Sequence, residues 1–140
     1  MCFDTNALIY LLNRISPYFE LVENAFAPVR DGWKQAFISV VTEIELLVQP
    51  IRLERERELE RIRALLGAPQ LRVIELDRQI AQVAAGIRAE QRLGLADAAI
   101  VATALYTKCD VIVGNDERCA QRVRDVPYVF LDELVKEQQP

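Results

Sequence analysis

The sequence predicts an α/β fold, a single-domain three-layer α/β/α sandwich with a short parallel sheet of about five strands. Short apolar runs alternate along the chain with helical patterns, which is typical of a parallel sheet covered by helices on both faces. The chain has 140 residues, of which 51% are hydrophobic, enough for one domain with its own core. Since no linker or repeat interrupts it, we expect residues 1–140 to form that single domain.

The predicted strands are short runs rich in branched and aromatic side chains, bounded by turn-forming residues. They cover residues 1–3, 36–39, 72–74, 110–113 and 128–131. In a sheet of this kind, ligands bind beyond the carboxyl ends of the strands. The polar residues that directly follow each run are therefore the first candidates for function.

Helical patterns fill the intervals between these runs, and capping residues mark several of their ends. Ser16 with Pro17 predicts a helix start, and Ser39 predicts another. Pro50 is expected to close or break the helix that follows Ser39, and Asp132 is the predicted cap of the terminal helix. The predicted helices cover residues 7–13, 16–26, 40–50, 52–66, 77–92, 96–107 and 117–122, with a terminal helix from about 132.

Composition excludes several kinds of site. The chain has no histidine, so a Ser-His-Asp triad, a histidine metal site and a histidine-based ribonuclease mechanism cannot exist. Its three cysteines contain no CxxC pair, which argues against a disulfide scaffold and predicts a reducing, cytoplasmic compartment. No membrane span or signal peptide is visible. Acid–base or metal chemistry must therefore come from the 21 carboxylates.

Three aspartates stand where a parallel sheet would hold a ligand. Asp4 directly follows the first predicted strand and Asp116 follows the fourth, although either is also an ordinary cap or turn residue. Asp97 is the strongest anomaly, because the helix around it is apolar on nearly every side. A buried carboxylate there needs an ion pair, a hydrogen bond or a metal ion, although a helix-capping role explains it equally well.

The helix after Ser39 offers a fourth acid, either Glu43 or Glu45. The two glutamates flank the predicted apolar face of that helix at similar angles, so periodicity leaves the choice open. That face is predicted from Val40, Val41, Ile44, Leu47 and Val48.

Four acids at the ends of different strands predict a cation site. Like charges gathered in one cleft repel one another and cost stability unless a cation occupies it. Carboxylate oxygens are the ligands that Mg²⁺ and Mn²⁺ prefer. One or two such ions held by carboxylates are suited to phosphodiester hydrolysis.

Four segments, taken in order along nearly the whole chain, match the motifs of one known family. Residues 3–9 resemble its opening Asp-Thr-Asn motif, and residues 38–47 its Ser-x-x-Thr-x-x-Glu-Leu helix. Residues 95–104 resemble its Asp-Ala-x-Ile-Ala-Ala-Thr-Ala helix, and residues 113–116 its Thr-Asn-Asp turn. The chain thus resembles PIN-domain proteins, in particular the VapC-like ribonuclease toxins of type II toxin–antitoxin systems.

The resemblance implies a metal-dependent endoribonuclease that uses Mg²⁺ or Mn²⁺, one or two ions, and leaves 3′-hydroxyl and 5′-phosphate ends. It selects Glu45, three residues after the motif's Thr, over Glu43. The catalytic and metal-binding residues it implies are Asp4, Glu45, Asp97 and Asp116. The residues expected to orient these carboxylates are Thr5, Asn6, Ser39, Thr103 and Asn115.

The sequence departs from the family pattern at three points. Gly114 stands where the last motif usually has Thr, which removes a hydroxyl that could bind or position a ligand. Cys119 stands where an aromatic residue often follows that motif, and only three residues precede Asp4. The last departure leaves open a native start upstream of Met1.

The partners implied are an RNA substrate, a small antitoxin protein and a second copy of the chain in a homodimer, with no membrane. The net charge of −4 gives no general attraction to RNA, so local arginines must supply it. The candidate phosphate contacts are Arg88, Arg92, Arg118 and Arg122. The Arg/Glu-rich residues 52–63 are better explained as a solvated, ion-paired helix face.

Other functions remain open at the level of sequence. The same chemistry would serve a housekeeping RNA-processing PIN nuclease, which growth arrest on expression or a neighbouring antitoxin gene would distinguish from a toxin. A non-catalytic PIN-like module that binds RNA or protein is a second alternative, disfavoured by the four acids. A phosphoacceptor domain is a third, disfavoured because Lys34, Lys108 and Lys136 all lie away from the predicted strand ends.

Overall fold

The structure is a computed structural model that describes residues 1–138, so the predicted domain of residues 1–140 extends two residues beyond the described part. Five parallel strands form one sheet in the order β3-β2-β1-β4-β5, and the predicted α/β class is confirmed. The strands are β1 (Cys2–Phe3), β2 (Ala36–Ser39), β3 (Leu71–Ile74), β4 (Ile112–Gly114) and β5 (Tyr128–Phe130).

Helices cover both faces of this sheet, which separates two hydrophobic cores. Successive residues of β1 point to opposite faces, so Cys2 packs in the core with Ile100 while Phe3 packs in the core with Leu8. The helices are α1 (Thr5–Asn13), α2 (Tyr18–Arg30), α3 (Val40–Arg52), α4 (Glu56–Leu66), α5 (Arg78–Gln91), α6 (Leu95–Tyr106), α7 (Glu117–Arg122) and α8 (Leu131–Glu137). Within residues 1–138, none of these helices has the length and apolarity needed to cross a bilayer.

The strand order places a topological switch point at the centre of the sheet. The chain runs outward from β1 through β2 to β3, then returns to β4 and β5 on the other side of β1. Above the neighbouring carboxyl ends of β1 and β4, connections leave in opposite directions and open a crevice. Asp4 follows β1 directly and Asp116 lies two residues beyond β4, so both stand at this crevice.

Three residues predicted to begin or end helices do not do so, and two helices differ from their predicted bounds, since α2 continues to Arg30 and α4 begins at Glu56. Ser16 is not an N-cap: α2 begins at Tyr18, and the Ser16 hydroxyl donates instead to the Glu20 carboxylate at 2.6 Å. Asp132 lies inside the first turn of α8 rather than at its N-cap. Pro50 neither closes nor breaks α3, which continues to Arg52. Pro50 lies near the end of α3, where a proline removes only one backbone hydrogen bond, and the burial of its ring offsets that loss.

The predicted buried face of α3 is also wrong in part. The helix buries Thr42, Leu46 and Pro50, while Ile44 and Val48 are each more than half exposed. The helix is turned because Thr42 faces the Thr5 hydroxyl, 3.4 Å away. An exposed apolar surface results, called here the α3 apolar face and formed by Ile44, Leu47, Val48 and Ile51.

Candidate active site

One cleft of about 340 Å³ at the switch point gathers all four predicted acids. Each acid comes from a different element: the β1–α1 junction, α3, the first turn of α6 and the β4–α7 junction. The cleft is lined by Asp4, Thr5, Asn6, Ile9, Glu45, Asp97 and Asp116. Glu43 is not among the lining residues, so the geometry separates two glutamates that periodicity could not.

Asp4 is both a helix cap and the most buried acid of the cleft, with 5% of its surface exposed. Its Oδ1 accepts from the Thr5 backbone N–H at 2.6 Å, and its Oδ2 accepts from the Tyr128 hydroxyl at 3.0 Å. Burial raises the pKa of Asp4 to about 6, and the nearby charges of Asp97 and Asp116 add to the rise. The two hydrogen bonds oppose it because they favour the charged carboxylate.

Asp97 lies in the first turn of α6, whose N-cap position is Gly94. The apolar pattern of this helix is confirmed, because residues 98–104 are all buried. Burial raises the pKa of Asp97, and the charges of Asp116 and Glu45 raise it further. Arg118 lowers the same pKa, so one cation of the chain already faces this carboxylate.

Asp116 closes the opposite side of the cleft and caps α7. Its Oδ1 accepts from the Cys119 backbone N–H at 2.7 Å, which orients the carboxylate toward Asp97. Carboxylate oxygens of Asp97 and Asp116 and the Cys119 sulfur lie within 4.8 Å of one another. Burial, and then the charges of the two aspartates, raise the pKa of the Cys119 thiol well above its ordinary value. The charged ligands of this group are therefore the two carboxylates.

Glu45 completes the cleft from α3. The Thr5 hydroxyl donates a hydrogen bond to Glu45 Oε2, as expected of a residue that orients a carboxylate. The same hydroxyl lies 3.4 Å from that of Thr42. A buried threonine on α3 therefore helps to hold the bond between α1 and Glu45.

The other residues predicted to orient carboxylates divide into two groups. Asn6 lines the cleft. Ser39, Thr103 and Asn115 form their hydrogen bonds in the described part of the chain with groups other than the four acids, and their predicted role stays a prediction. Ser39 accepts from the Val41 N–H, Thr103 donates to the Ala99 carbonyl, and Asn115 bonds Tyr10 and Asp132. Local caps and helix carbonyls compete well for such short polar side chains.

Two of the four predicted arginines border the acids. Arg118 and Arg122 line a depression that also contains Asp97 and Asp116. Both arginines are exposed on α7, so their guanidinium groups are accessible to a polyanion that approaches the cleft.

The basic surface continues away from the acids along one side. Arg92 and Arg122 line a neighbouring depression together with Arg124, and the Arg122 guanidinium donates to the Arg92 carbonyl at 2.8 Å. Sequence reasoning did not include Arg124 among the candidate phosphate contacts, although it lies only two positions after Arg122. Arg88 is exposed on α5 and lines neither depression.

The sequence itself identifies the family to which this arrangement belongs. The profile of the PIN domain matches residues 1–126. The chain belongs to the PIN-domain family. Membership implies a nuclease, a hydrolase of phosphodiester bonds, and agrees with the resemblance inferred from the four motifs. No curated protein matches the sequence significantly.

Solved structures similar to this PIN domain confirm the fold and the likeness to VapC-like members. A toxin–antitoxin complex from Klebsiella pneumoniae contains a chain 25% identical, with a TM-score of 0.70 over 93% of this chain and 96% of that chain. VapBC2 from Rickettsia felis, bound to a promoter DNA fragment, is 17% identical, with a TM-score of 0.73 over 92% and 96%. FitAcB from Neisseria gonorrhoeae is 20% identical, with a TM-score of 0.69 over 93% and 96%.

The cleft of this PIN domain is chemically suited to a divalent cation. Burial raises the pKa values of Asp4 and Asp97, and the charges of the neighbouring acids add to both rises, as expected where carboxylates gather in one partly buried cleft. Oxygen ligands of this kind select hard cations. The groups that could hold the ion are the carboxylates of Asp4, Asp97 and Asp116, with Glu45 at the rim.

Sequence reasoning missed one residue that contacts this group of acids. Tyr128 was assigned only to the last strand, yet its hydroxyl bonds Asp4 and also accepts from the Asp116 backbone N–H at 3.1 Å. Asp4 and Tyr128 are more than a hundred residues apart in the sequence, so no local sequence pattern could indicate their contact.

Proposed function

We propose that this PIN domain, residues 1–140, is a metal-dependent endoribonuclease that hydrolyses RNA at the four carboxylates Asp4, Glu45, Asp97 and Asp116. The observation that carries the proposal is their convergence on one cleft from four separate elements. A structural role would call for counter-charges around each acid. Burial raises the pKa values of Asp4 and Asp97, the charges of neighbouring acids add to both rises, and Arg118 lowers that of Asp97.

The cofactor of the proposal is Mg²⁺ or Mn²⁺, one or two ions, which when bound would lower the pKa of a water and stabilise the leaving oxygen. Asp4, Asp97 and Asp116 would hold it directly, and Glu45 would act through water or toward a second ion. Thr5 fixes Glu45 by its hydroxyl and Asp4 by its backbone N–H. Carboxylates held in this way need little reordering when a ligand arrives.

The substrate of the proposal is RNA, supported by the basic surface beside the acids. Arg118 and Arg122 share a depression with Asp97 and Asp116, and Arg92 and Arg124 extend it. Phosphates held there would lead the strand across the cleft, because guanidinium groups pair with phosphate oxygens. Arg88, exposed nearby on α5, stays a prediction.

The biological role we propose is that of a toxin held by a small antitoxin, in a cytoplasmic homodimer. Support comes from the similar structures, which are described as toxin–antitoxin assemblies, and from the α3 apolar face. A contiguous exposed apolar surface such as Ile44, Val48 and Ile51 is typical of a protein–protein contact. The three free cysteines suit a reducing compartment.

The first experiment measures cleavage of end-labelled RNA by the purified, partner-free protein in EDTA, Mg²⁺ and Mn²⁺. We expect cutting in either metal and none in EDTA, with 5′-phosphate products. Matched DNA substrates test the choice of nucleic acid, because water attack on phosphorus does not require a 2′-hydroxyl. Cutting that continues in EDTA, or no cutting in either metal, would contradict the proposal.

Metal binding is expected to depend on pH through Asp4. In the metal-free protein its pKa is raised to about 6, so below that pH a cation must displace the proton. The affinity for Mn²⁺ should therefore be nearly constant above pH 7 and fall by about tenfold per unit below pH 6. Isothermal titration at pH 5, 6, 7 and 8 measures it, with Asp4→Asn as the control whose weaker binding should depend less on pH. Affinity that stays constant from pH 5 to 8 would refute the assignment.

A further inference from the structure

The Tyr128 hydroxyl joins two of the acid-bearing junctions. It donates to Asp4 Oδ2 at 3.0 Å and accepts from the Asp116 backbone N–H at 3.1 Å. Asp4 directly follows β1, and Asp116 follows β4, the neighbour of β1 in the sheet. One side chain from β5 therefore fixes the relative positions of both carboxylate-bearing segments.

Gly114 makes room for this hydroxyl. A Cβ at position 114 would lie 2.2 Å from the Tyr128 hydroxyl oxygen, 2.7 Å from Asp4 Cβ and 2.9 Å from Asp4 Oδ2. Gly114 is not held at the positive φ that favours glycine, which in this chain is found at Gly32. Space, and not backbone conformation, is therefore what requires glycine at the end of β4.

The phenol is suited to hold an ionised carboxylate. Its ring is partly buried against the core that contains Ile100, so the hydroxyl has little freedom. Burial, and then the charge of Asp4, raises the pKa of Tyr128 well above its ordinary value. The hydroxyl is placed to donate to Asp4 Oδ2.

The hydrogen bond leaves Asp4 able to bind a cation. Thr5 N–H occupies one position on Oδ1 and Tyr128 occupies one on Oδ2. A carboxylate offers about four lone-pair sites on its two oxygens, so each oxygen of Asp4 keeps one free. The two donors restrain the carboxylate without blocking it.

We propose that Tyr128 is a positioning residue of the acidic cleft, which aligns Asp4 with Asp116 for a divalent cation, and that Gly114 is its obligatory counterpart. The inference rests on the proposed function, because it assumes that the cleft holds a metal ion. The two residues act as a pair: the hydroxyl occupies the volume that a side chain at position 114 would need.

Tyr128→Phe tests the hydroxyl while it preserves the ring and its packing. We expect Mn²⁺ affinity, measured by titration and by the electron paramagnetic resonance of free Mn²⁺, to fall by about 10–100-fold. At saturating metal, kcat should fall while KM for RNA changes little. Tyr106→Phe, at a tyrosine 47% exposed on α6, is the matched control and should change none of these values. Unchanged Mn²⁺ affinity and kcat in Tyr128→Phe would overturn the inference.

Gly114→Ala tests the pairing in a double-mutant cycle. Alone, it should weaken Mn²⁺ binding, because the new methyl group displaces the Tyr128 hydroxyl and presses on Asp4. In the Tyr128→Phe background, Gly114→Ala should reduce Mn²⁺ affinity less, since the closest contact of the new methyl group, that with the Tyr128 hydroxyl, is gone. Equal losses of Mn²⁺ affinity in both backgrounds would show that the two positions act independently and would overturn the pairing.

The readouts separate this inference from the proposed function. If the wild-type protein binds Mn²⁺ but does not cleave RNA, the proposed function fails while the variants still test the alignment of Asp4. If the wild-type protein cleaves RNA and Tyr128→Phe matches it in affinity and kcat, only the inference fails. A wild-type protein that neither binds Mn²⁺ nor cleaves RNA overturns both.

Discussion

Asp97→Asn is expected to abolish metal-dependent RNA cleavage and at the same time to stabilise the metal-free protein. Asparagine keeps the size of the side chain but removes a charge that burial, Asp116 and Glu45 all disfavour. Loss of a direct metal ligand should cost more than the ~10–100-fold typical of residues that only orient one. The gain in unfolding free energy at neutral pH should be on the order of 1 kcal/mol.

The sign of the stability effect follows from the raised pKa of Asp97. A carboxyl whose pKa is higher in the folded than in the unfolded protein penalises folding once it ionises. The benefit of Asp97→Asn should therefore be present at pH 7–8 and disappear as pH falls below the ordinary pKa of aspartate. Saturating Mg²⁺ should reverse the order, because only the wild-type protein gains the free energy of metal binding.

Glu43→Gln is the matched control for this experiment. Glu43 lies on α3 only two residues from Glu45, yet it does not line the cleft. It should leave cleavage and the thermal midpoint in EDTA unchanged. The interpretation fails if Asp97→Asn cleaves at the wild-type rate, if it lowers the midpoint in EDTA, or if Glu43→Gln loses as much activity.

Features that depend on neighbouring residues could be predicted, and three of the four acids are among them, whereas periodicity left the choice between Glu43 and Glu45 open. Strand ends, helix caps and the apolar run of α6 depend on neighbours within a few residues, so Asp4, Asp97 and Asp116 were visible as anomalies. Asp132 was misread because its partners are distant: its Oδ1 accepts from the Tyr18 hydroxyl at 2.6 Å and from Asn115 at 3.1 Å. These partners come from other elements, and the N-cap position of α8 is Phe130.

The orientation of α3 could not be predicted because the cleft overrides the hydrophobic pattern. Periodicity turns Ile44 and Val48 inward, but the fold buries Thr42 and leaves those two exposed. The buried Thr42 hydroxyl lies beside Thr5, which holds Glu45. The same orientation of α3 exposes apolar side chains to solvent. Violations of the simple inside–outside pattern are expected where function, and not packing, selects the residue.

The hydroxyl missing at Gly114 illustrates what a motif comparison leaves out. From the sequence, glycine in place of threonine implied a lost positioning group. In the fold, the Tyr128 hydroxyl stands within 3.0 Å of Asp4 Oδ2 from a strand far along the chain. A residue distant in the sequence can therefore supply a hydroxyl beside Asp4 although position 114 has none.

Phe3→Ala is expected to cost about 3–5 kcal/mol of unfolding free energy, the range for removal of a buried aromatic ring. Phe3 is fully buried and packs on Phe26 with ring centroids 5.5 Å apart. Urea unfolding in EDTA measures the cost. Trp33→Ala is the control, because it removes a larger ring from a side chain that is 85% exposed and should change stability by less than about 0.5 kcal/mol. A comparable loss in both variants would refute the assignment of Phe3 to the core.

Phe3→Ala should also weaken metal binding, because β1 is only two residues long and Asp4 directly follows it. Phe3→Leu, which removes fewer atoms and should keep the protein folded, allows Mn²⁺ affinity to be measured. We expect a smaller loss of stability together with a measurable loss of affinity, since the anchor of the strand directly precedes the carboxylate. Unchanged affinity would mean that Thr5 and Tyr128 hold Asp4 in place without help from the core. A loss would mean that the packing of β1 contributes to the geometry of the cleft.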